Sequence, residues 1–128
     1  MDIANSVYFI SGGASGLGEA AARRLVAGGA AGVAIADLNL EAASSLASEL
    51  GDAALAVRVD VQNSDEISAG METVIARFGR LDAAINCAGI GWAERTLDRE
   101  NKAASIENYR RVININLVGT FDVTRIAA

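Results

Sequence analysis

Hydrophobic positions along the chain fall into alternating short runs and helical stripes. Val7-Tyr8-Phe9-Ile10 is a continuous apolar run that ends in Ser11-Gly12-Gly13. Such runs, rather than strictly alternating ones, fit strands covered on both faces. A helix follows from near Gly16 to about Ala27, with Leu17, Ala21 and Leu25 on one face, and Gly28-Gly29 stop it. Gly32 to Asp37 reads as a second buried strand. Leu40, Ala43, Ala47 and Leu50 mark a second helix, with Gly51 after it. Ala54 to Val59 is a third strand ending at Asp60. Ile67, Met71, Val74, Ile75 and Phe78 then give an amphipathic helix, opened by an Asn63/Glu66 capping box and closed by Gly79. Leu81 to Ile85 is a fourth strand. Ile90 to about Ala104 is polar and irregular, and a last helix runs from near Ser105 to the end of the chain.

Strands alternating with helices specify βαβ units and a parallel sheet. The fold class is therefore α/β, a Rossmann-like doubly wound parallel sheet of which only the first four strands are present. No linker, repeat or low-complexity segment divides the 128 residues, about one small domain.

Composition narrows the chemistry. The chain is 52% apolar and carries a net charge of −5, so a basic nucleic-acid-binding face is not expected. It has no histidine, which excludes a Ser-His-Asp triad and a His-ligated metal. The single cysteine, Cys87, cannot form an intramolecular disulfide and suits a reducing, cytoplasmic compartment. Lys102 is the only lysine and follows no glycine-rich loop, so a Walker phosphate loop is absent. No apolar run is long enough for a transmembrane helix, and the acidic N-terminus is not a secretory signal.

The chemistry-bearing segment is Ser11-Gly12-Gly13-Ala14-Ser15-Gly16-Leu17-Gly18, between the first strand and the first helix. Gly12 permits a tight turn, Gly16 a close approach to a pyrophosphate, and Gly18 close helix–strand packing. The helix N-terminus then offers N–H groups and a positive dipole end to an anion. Asp37, at the carboxyl end of the second strand, suits the two hydroxyls of an adenosine ribose and repels a 2′-phosphate. Residue 38 is Leu and residues 12–18 contain no cation, so the pattern points to NAD rather than NADP. A receiver-type α/β domain fits less well, because no lysine follows Asp60 in the right place.

With Asp60-Val61, Asn86-Cys87-Ala88-Gly89 and Asn116-Leu117-Val118-Gly119-Thr120 added in that order, the chain resembles the N-terminal half of a short-chain dehydrogenase/reductase. The resemblance spans essentially its whole length. Ser11 stands where that family usually has Thr, and Cys87 where it usually has Asn. Within the family the glycine turn, Asn86-Cys87-Ala88-Gly89-Ile90 and the polar stretch from Gly91 to Ser105 are similar to type II 3-hydroxyacyl-CoA dehydrogenases. The resemblance implies that Ser15 and Leu17 contact the pyrophosphate side of NAD, Asp37 the adenosine ribose, and Asp60 and Val61 the adenine. It places Cys87, Ala88 and Gly89 at the ribose and nicotinamide end, and makes Asn116 a catalytic residue. It implies a small-molecule substrate, a 3-hydroxyacyl-CoA or similar secondary alcohol, with 3-oxoacyl-carrier-protein reduction as the alternative, and a homotetramer for the whole enzyme.

Bland roles exist beside these. Asp60 suits a turn, Cys87 a small buried hydrophobe, Asn86 a bond between strands and Asn116 a buried amide held by backbone. Trp92, Tyr8 and Tyr109 read as packing residues. The family's catalytic tyrosine is followed four residues later by a lysine, and this sequence has no such pair. Asp98 precedes Lys102 by four, while Gly12 and Ile113 follow Tyr8 and Tyr109. The chain also stops inside its last helix. It therefore reads as the cofactor-binding half of an NAD-dependent enzyme, inactive by itself, or else as a short nucleotide-binding module without redox chemistry.

Overall fold

The computed structural model describes residues 2–128. Four parallel strands, β1 (Val7–Ser11), β2 (Gly32–Asp37), β3 (Ala54–Arg58) and β4 (Ala83–Asn86), lie in the order β3-β2-β1-β4. Helices α1 (Gly16–Ala27), α2 (Leu40–Leu50) and α3 (Ser64–Phe78) connect them. β1 is central: Phe9 pairs with Ala34 of β2 on one side and with Ala84 of β4 on the other. The chain builds outward from β1 through β2 to β3, then crosses through α3 to β4 on the opposite side. That reversal opens a crevice at the carboxyl ends of β1 and β4, where doubly wound folds bind ligands.

The two-residue period of β1 sends its side chains into two cores. Tyr8 and Ile10 join Val33, Ile35, Ala22, Leu25, Ala43 and Leu46 under α1 and α2. Val7 and Phe9 join Ala34, Ala36, Ile67, Met71, Val74 and Val123 on the other face. Both faces of β1 and β2 are covered, whereas the edge strands β3 and β4 are only partly buried.

Local expectations were revised in several places. Leu17 is 83% exposed; the buried stripe of α1 is Gly18, Ala22 and Leu25, because the first turn projects past the sheet. In α2 the buried residues are Ala43 and Leu46, while Leu40 is exposed. Ile75 is exposed on α3. Asn63 caps α3 by accepting the Asp65 and Glu66 N–H groups. The reciprocal half of the capping box is missing: Glu66 Oε2 instead accepts the Asp60 N–H at 3.0 Å and pairs with Arg58 at 2.7 Å. A neighbouring cation and the free N–H at the end of β3 outcompete the cap.

β4 starts at Ala83 rather than Leu81. Asp82 Oδ2 accepts the Val7 N–H at 2.8 Å, so a side chain substitutes for one ladder bond and delays the strand. The Arg80 guanidinium, with the Val7 N–H second, holds the Asp82 carboxyl below the usual carboxylate range. Its stabilising effect is therefore present above the unfolded value, about pH 3.9, and is lost as pH falls through that value toward the folded one. Thermal melts of Asp82→Asn should show a smaller loss of stability than wild type between about pH 5 and about pH 3, the rest of the slope coming from carboxyls such as Glu49 and Glu94. Equal slopes would remove Asp82 from the acid response.

The last helix is continuous but not uniform. α4 (Ile106–Ile113) runs into a π-helical stretch, Asn114–Gly119, and then into α5 (Thr120–Ala127). Within the stretch Gly119 lies against Val61, where a Cβ would sit 2.9 Å from Val61 Cγ2. Thr120 and Thr124 hydroxyls donate to the Asn116 and Thr120 carbonyls four residues back, a pattern that bends helices. Before α4, Glu94 accepts from Trp92 Nε1 at 3.0 Å and from the Ser105 N–H at 3.3 Å, which ties the polar loop down. Tyr8 packs in the core, whereas Trp92 and Tyr109 are exposed. Among the described residues no helix is long and apolar enough to cross a membrane.

Candidate dinucleotide cleft

The crevice is a cleft of about 400 Å³ over the carboxyl ends of the strands. Its floor is the glycine turn. Gly12 has φ +66°, and a Cβ there would lie 2.6 Å from the Ala88 backbone, so the turn and the Cys87-Ala88 chain press together only because residue 12 lacks a side chain. Gly18 packs against the Gly12 carbonyl. Gly16 has φ +53° and nothing within 4 Å of its would-be Cβ; its open face is a cradle a side chain would fill.

Ser15 precedes α1 in extended conformation but makes no side-chain capping bond. The first-turn N–H groups of α1 lack intrahelical partners by construction and are left for an anion.

Asp37 ends β2 with both carboxylate oxygens fixed. Oδ2 accepts the Ala14 N–H at 3.1 Å and Oδ1 the Asn39 N–H at 3.0 Å. One carboxylate thus ties the glycine turn to the end of β2, and each oxygen keeps a free lone pair. Asp60 Oδ1 accepts the Gln62 N–H at 2.9 Å, a local turn bond, while the residue also lines the cleft.

Of the residues singled out in the sequence, Gly12, Ser15, Gly16, Leu17, Asp37, Asp60, Val61, Cys87, Ala88 and Gly89 meet around this cleft. Ser11 and Gly18 lie buried behind the lining, whereas Asn86 and Asn116 are exposed beside it, so Asn116 is not the buried amide the sequence suggested. Ser11 is 1% exposed, with its hydroxyl 3.4 Å from Asn86 Oδ1. Asn86 Nδ2 donates to the Thr124 hydroxyl at 3.2 Å, which links β4 to α5. Asn116 is paired twice with the Ile90 backbone: its Oδ1 accepts the Ile90 N–H and its Nδ2 donates to the Ile90 carbonyl, each at 2.8 Å. Its amide acts as a clamp on the chain that leaves β4, and through Ile90 it shapes the cleft wall.

The sequence reading missed Leu38, Val59, Ile90, Arg111 and Ile115 as lining residues. Leu38 was available as the neighbour of Asp37. Arg111 and Ile115 had no local signal, because they arrive from a helix far along the chain.

Sheet order and crevice together define a doubly wound parallel α/β protein with an open cleft at its topological switch point. A family profile described as short chain dehydrogenase matches residues 6–128. The chain belongs to the short-chain dehydrogenase family. It is 46% identical over 127 residues to 3-hydroxyacyl-CoA dehydrogenase type-2 of Drosophila melanogaster, covering 98% of this chain and 49% of the relative. It is 42% identical over 123 residues to the Bos taurus protein of the same name, covering 95% and 47%. Among solved structures, 3-hydroxyacyl-CoA dehydrogenase type-2 from Mycobacterium avium superposes with TM-score 0.88 at 39% identity, covering 96% of this chain and 47% of that one. The 3-ketoacyl-(acyl-carrier-protein) reductase from Brucella melitensis complexed with NADH gives 0.86 at 35% identity, covering 97% and 49%. The chain thus spans about half the length of the relatives it matches.

Proposed function

We propose that this chain is the NAD-binding half of a short-chain dehydrogenase that oxidises a 3-hydroxyacyl-CoA to the 3-oxoacyl-CoA. The observation that carries the reading is the pairing of an open, uncapped glycine turn at Gly16 with the fixed Asp37 carboxylate. The first turn of α1 would hold the pyrophosphate, and Asp37 the adenosine ribose hydroxyls. Val61 and Asp60 would border the adenine, and Cys87 to Gly89 the nicotinamide end. When bound, NAD supplies the hydride acceptor. This chain's residues bind and orient it, and Asn116 keeps the nicotinamide end in place by holding Ile90.

The choice of acyl-CoA rests on the likeness to the type-2 dehydrogenases. The second reading, reduction of a 3-oxoacyl group on carrier protein, is favoured by the Brucella neighbour. The lack of a Tyr-x3-Lys pair in the sequence supports a division of labour in which redox chemistry needs residues outside these 128. The domain, homotetrameric assembly of the whole enzyme and a cytoplasmic setting belong to the same proposal.

Cofactor choice is the direct test. Asp37 should favour NADH over NADPH by at least about 1.4 kcal/mol, about tenfold in dissociation constant. Asp37→Asn keeps an oxygen acceptor for one backbone N–H but removes the charge, so it should narrow that gap without unfolding the chain. Fluorescence titration of both dinucleotides reads the result; equal or tighter NADPH binding by the wild type would sink the NAD reading.

A further inference from the structure

Resting on the dinucleotide reading above, we infer that Arg111 is the residue that closes the adenine end of the cleft, its guanidinium stacking on the base. Arg111 lies in the last turn of α4 and lines the cleft. It stands four residues before Ile115, another lining residue, so both belong to one helix face. Four other arginines are held in ion pairs, Arg23 to Glu19 and Glu49, Arg58 to Glu66, Arg80 to Asp82 and Arg125 to Asp122, and none of the remaining unpaired ones besides Arg111 lines the cleft. Arg111 has neither an ion pair nor a side-chain hydrogen bond among the described residues, although two carboxylates line the same cleft. Both of those carboxylates accept backbone N–H groups.

The surroundings select the ligand group. Ile115, one turn from Arg111, packs in one cluster with Val59 and Val61, and all three line the cleft, an apolar surface that suits a flat aromatic ring better than a phosphate. A guanidinium is planar and weakly hydrated, and it stacks on aromatic faces, whereas an ammonium acts as a point charge. A 2′-phosphate at this cleft would meet Asp37 as well as Arg111, and the repulsion would offset the attraction. The base is therefore the group that gains from Arg111 without penalty.

The test compares dissociation constants of NADH, NADPH and ADP-ribose for wild type, Arg111→Ala and Arg111→Lys. Stacking predicts that Arg111→Ala weakens all three alike, about fivefold, with an unchanged melting temperature because the side chain holds nothing in the fold. Arg111→Lys should stay weak, since it restores charge but not the plane. Loss confined to NADPH would reassign Arg111 to a 2′-phosphate and overturn the inference. Full rescue by lysine, or no change in Arg111→Ala, would overturn it too. If wild type binds neither NADH nor ADP-ribose, the dinucleotide reading itself has failed, and the inference falls with it.

Discussion

Gly18→Ala should prevent stable folding, whereas Gly16→Ala should leave a folded chain that no longer holds a dinucleotide. The two glycines stand two residues apart in one turn, yet their surroundings are opposite. A Cβ on Gly18 would lie 2.1 Å from the Gly12 carbonyl oxygen and 2.8 Å from Gly13 Cα. Those atoms are backbone in a turn already pressed against Cys87 and Ala88, so nothing can yield cheaply. Overpacking of this kind costs about 3 kcal/mol or more, a large share of a small domain's stability. A Cβ on Gly16 meets nothing within 4 Å. Its cost is the left-handed backbone, about 1 kcal/mol, and its methyl enters the space where a pyrophosphate must approach. Urea melts and NADH titration on both variants separate the outcomes. A Gly16→Ala protein that binds NADH as wild type does would show that the anion does not sit on this turn.

Asn116→Leu carries the second large effect. The side-chain amide makes two 2.8 Å bonds to Ile90, and among the described residues no other side chain pairs with that backbone. Because Asn116 is exposed and water can take up part of the lost pairing, the substitution should cost about 1 kcal/mol. It should also weaken NADH binding, by freeing the segment that follows β4. Asn116→Asp keeps the acceptor for the Ile90 N–H but loses the donor, and should fall between. A chemical role alone forecasts something different: unchanged melts and unchanged NADH affinity, with turnover lost only in an enzyme that carries the remaining catalytic groups. Chemical denaturation of this chain distinguishes the two, since a stability equal to wild type would dismiss the clamp.

Much of the candidate cleft is legible in the sequence. Gly12, Gly16 and Gly18 announce themselves through spacing after a strand, and Asp37 through its place at the end of the next one. Both signals are local, arising within one βα or β segment. The parts that escaped notice come from contacts across the chain. Leu17 fell on the apolar face of α1 by helical period but is exposed at the cleft, where the family resemblance places it, because the period says which face a residue occupies and not where the sheet beneath it ends. The capping box at Asn63 and Glu66 was half right, since Arg58 and the Asp60 N–H compete for the same carboxylate.

The sequence by itself determined the element order, the parallel α/β class and the place of the glycine turn between the first strand and the first helix. Burial period, turn glycines and the placement of one acid at a strand end are each set by residues a few positions apart. Only the tertiary structure decided that Arg111 and Ile115 join the cleft, that Asn116 clamps Ile90, and that Asp82 substitutes for the first bond of β4. These pairings join residues between 26 and 75 positions apart, or bring a helix over a turn almost a hundred residues earlier. No local periodicity records them, because they are fixed by the crossing of α3 and the docking of the last helix on the sheet.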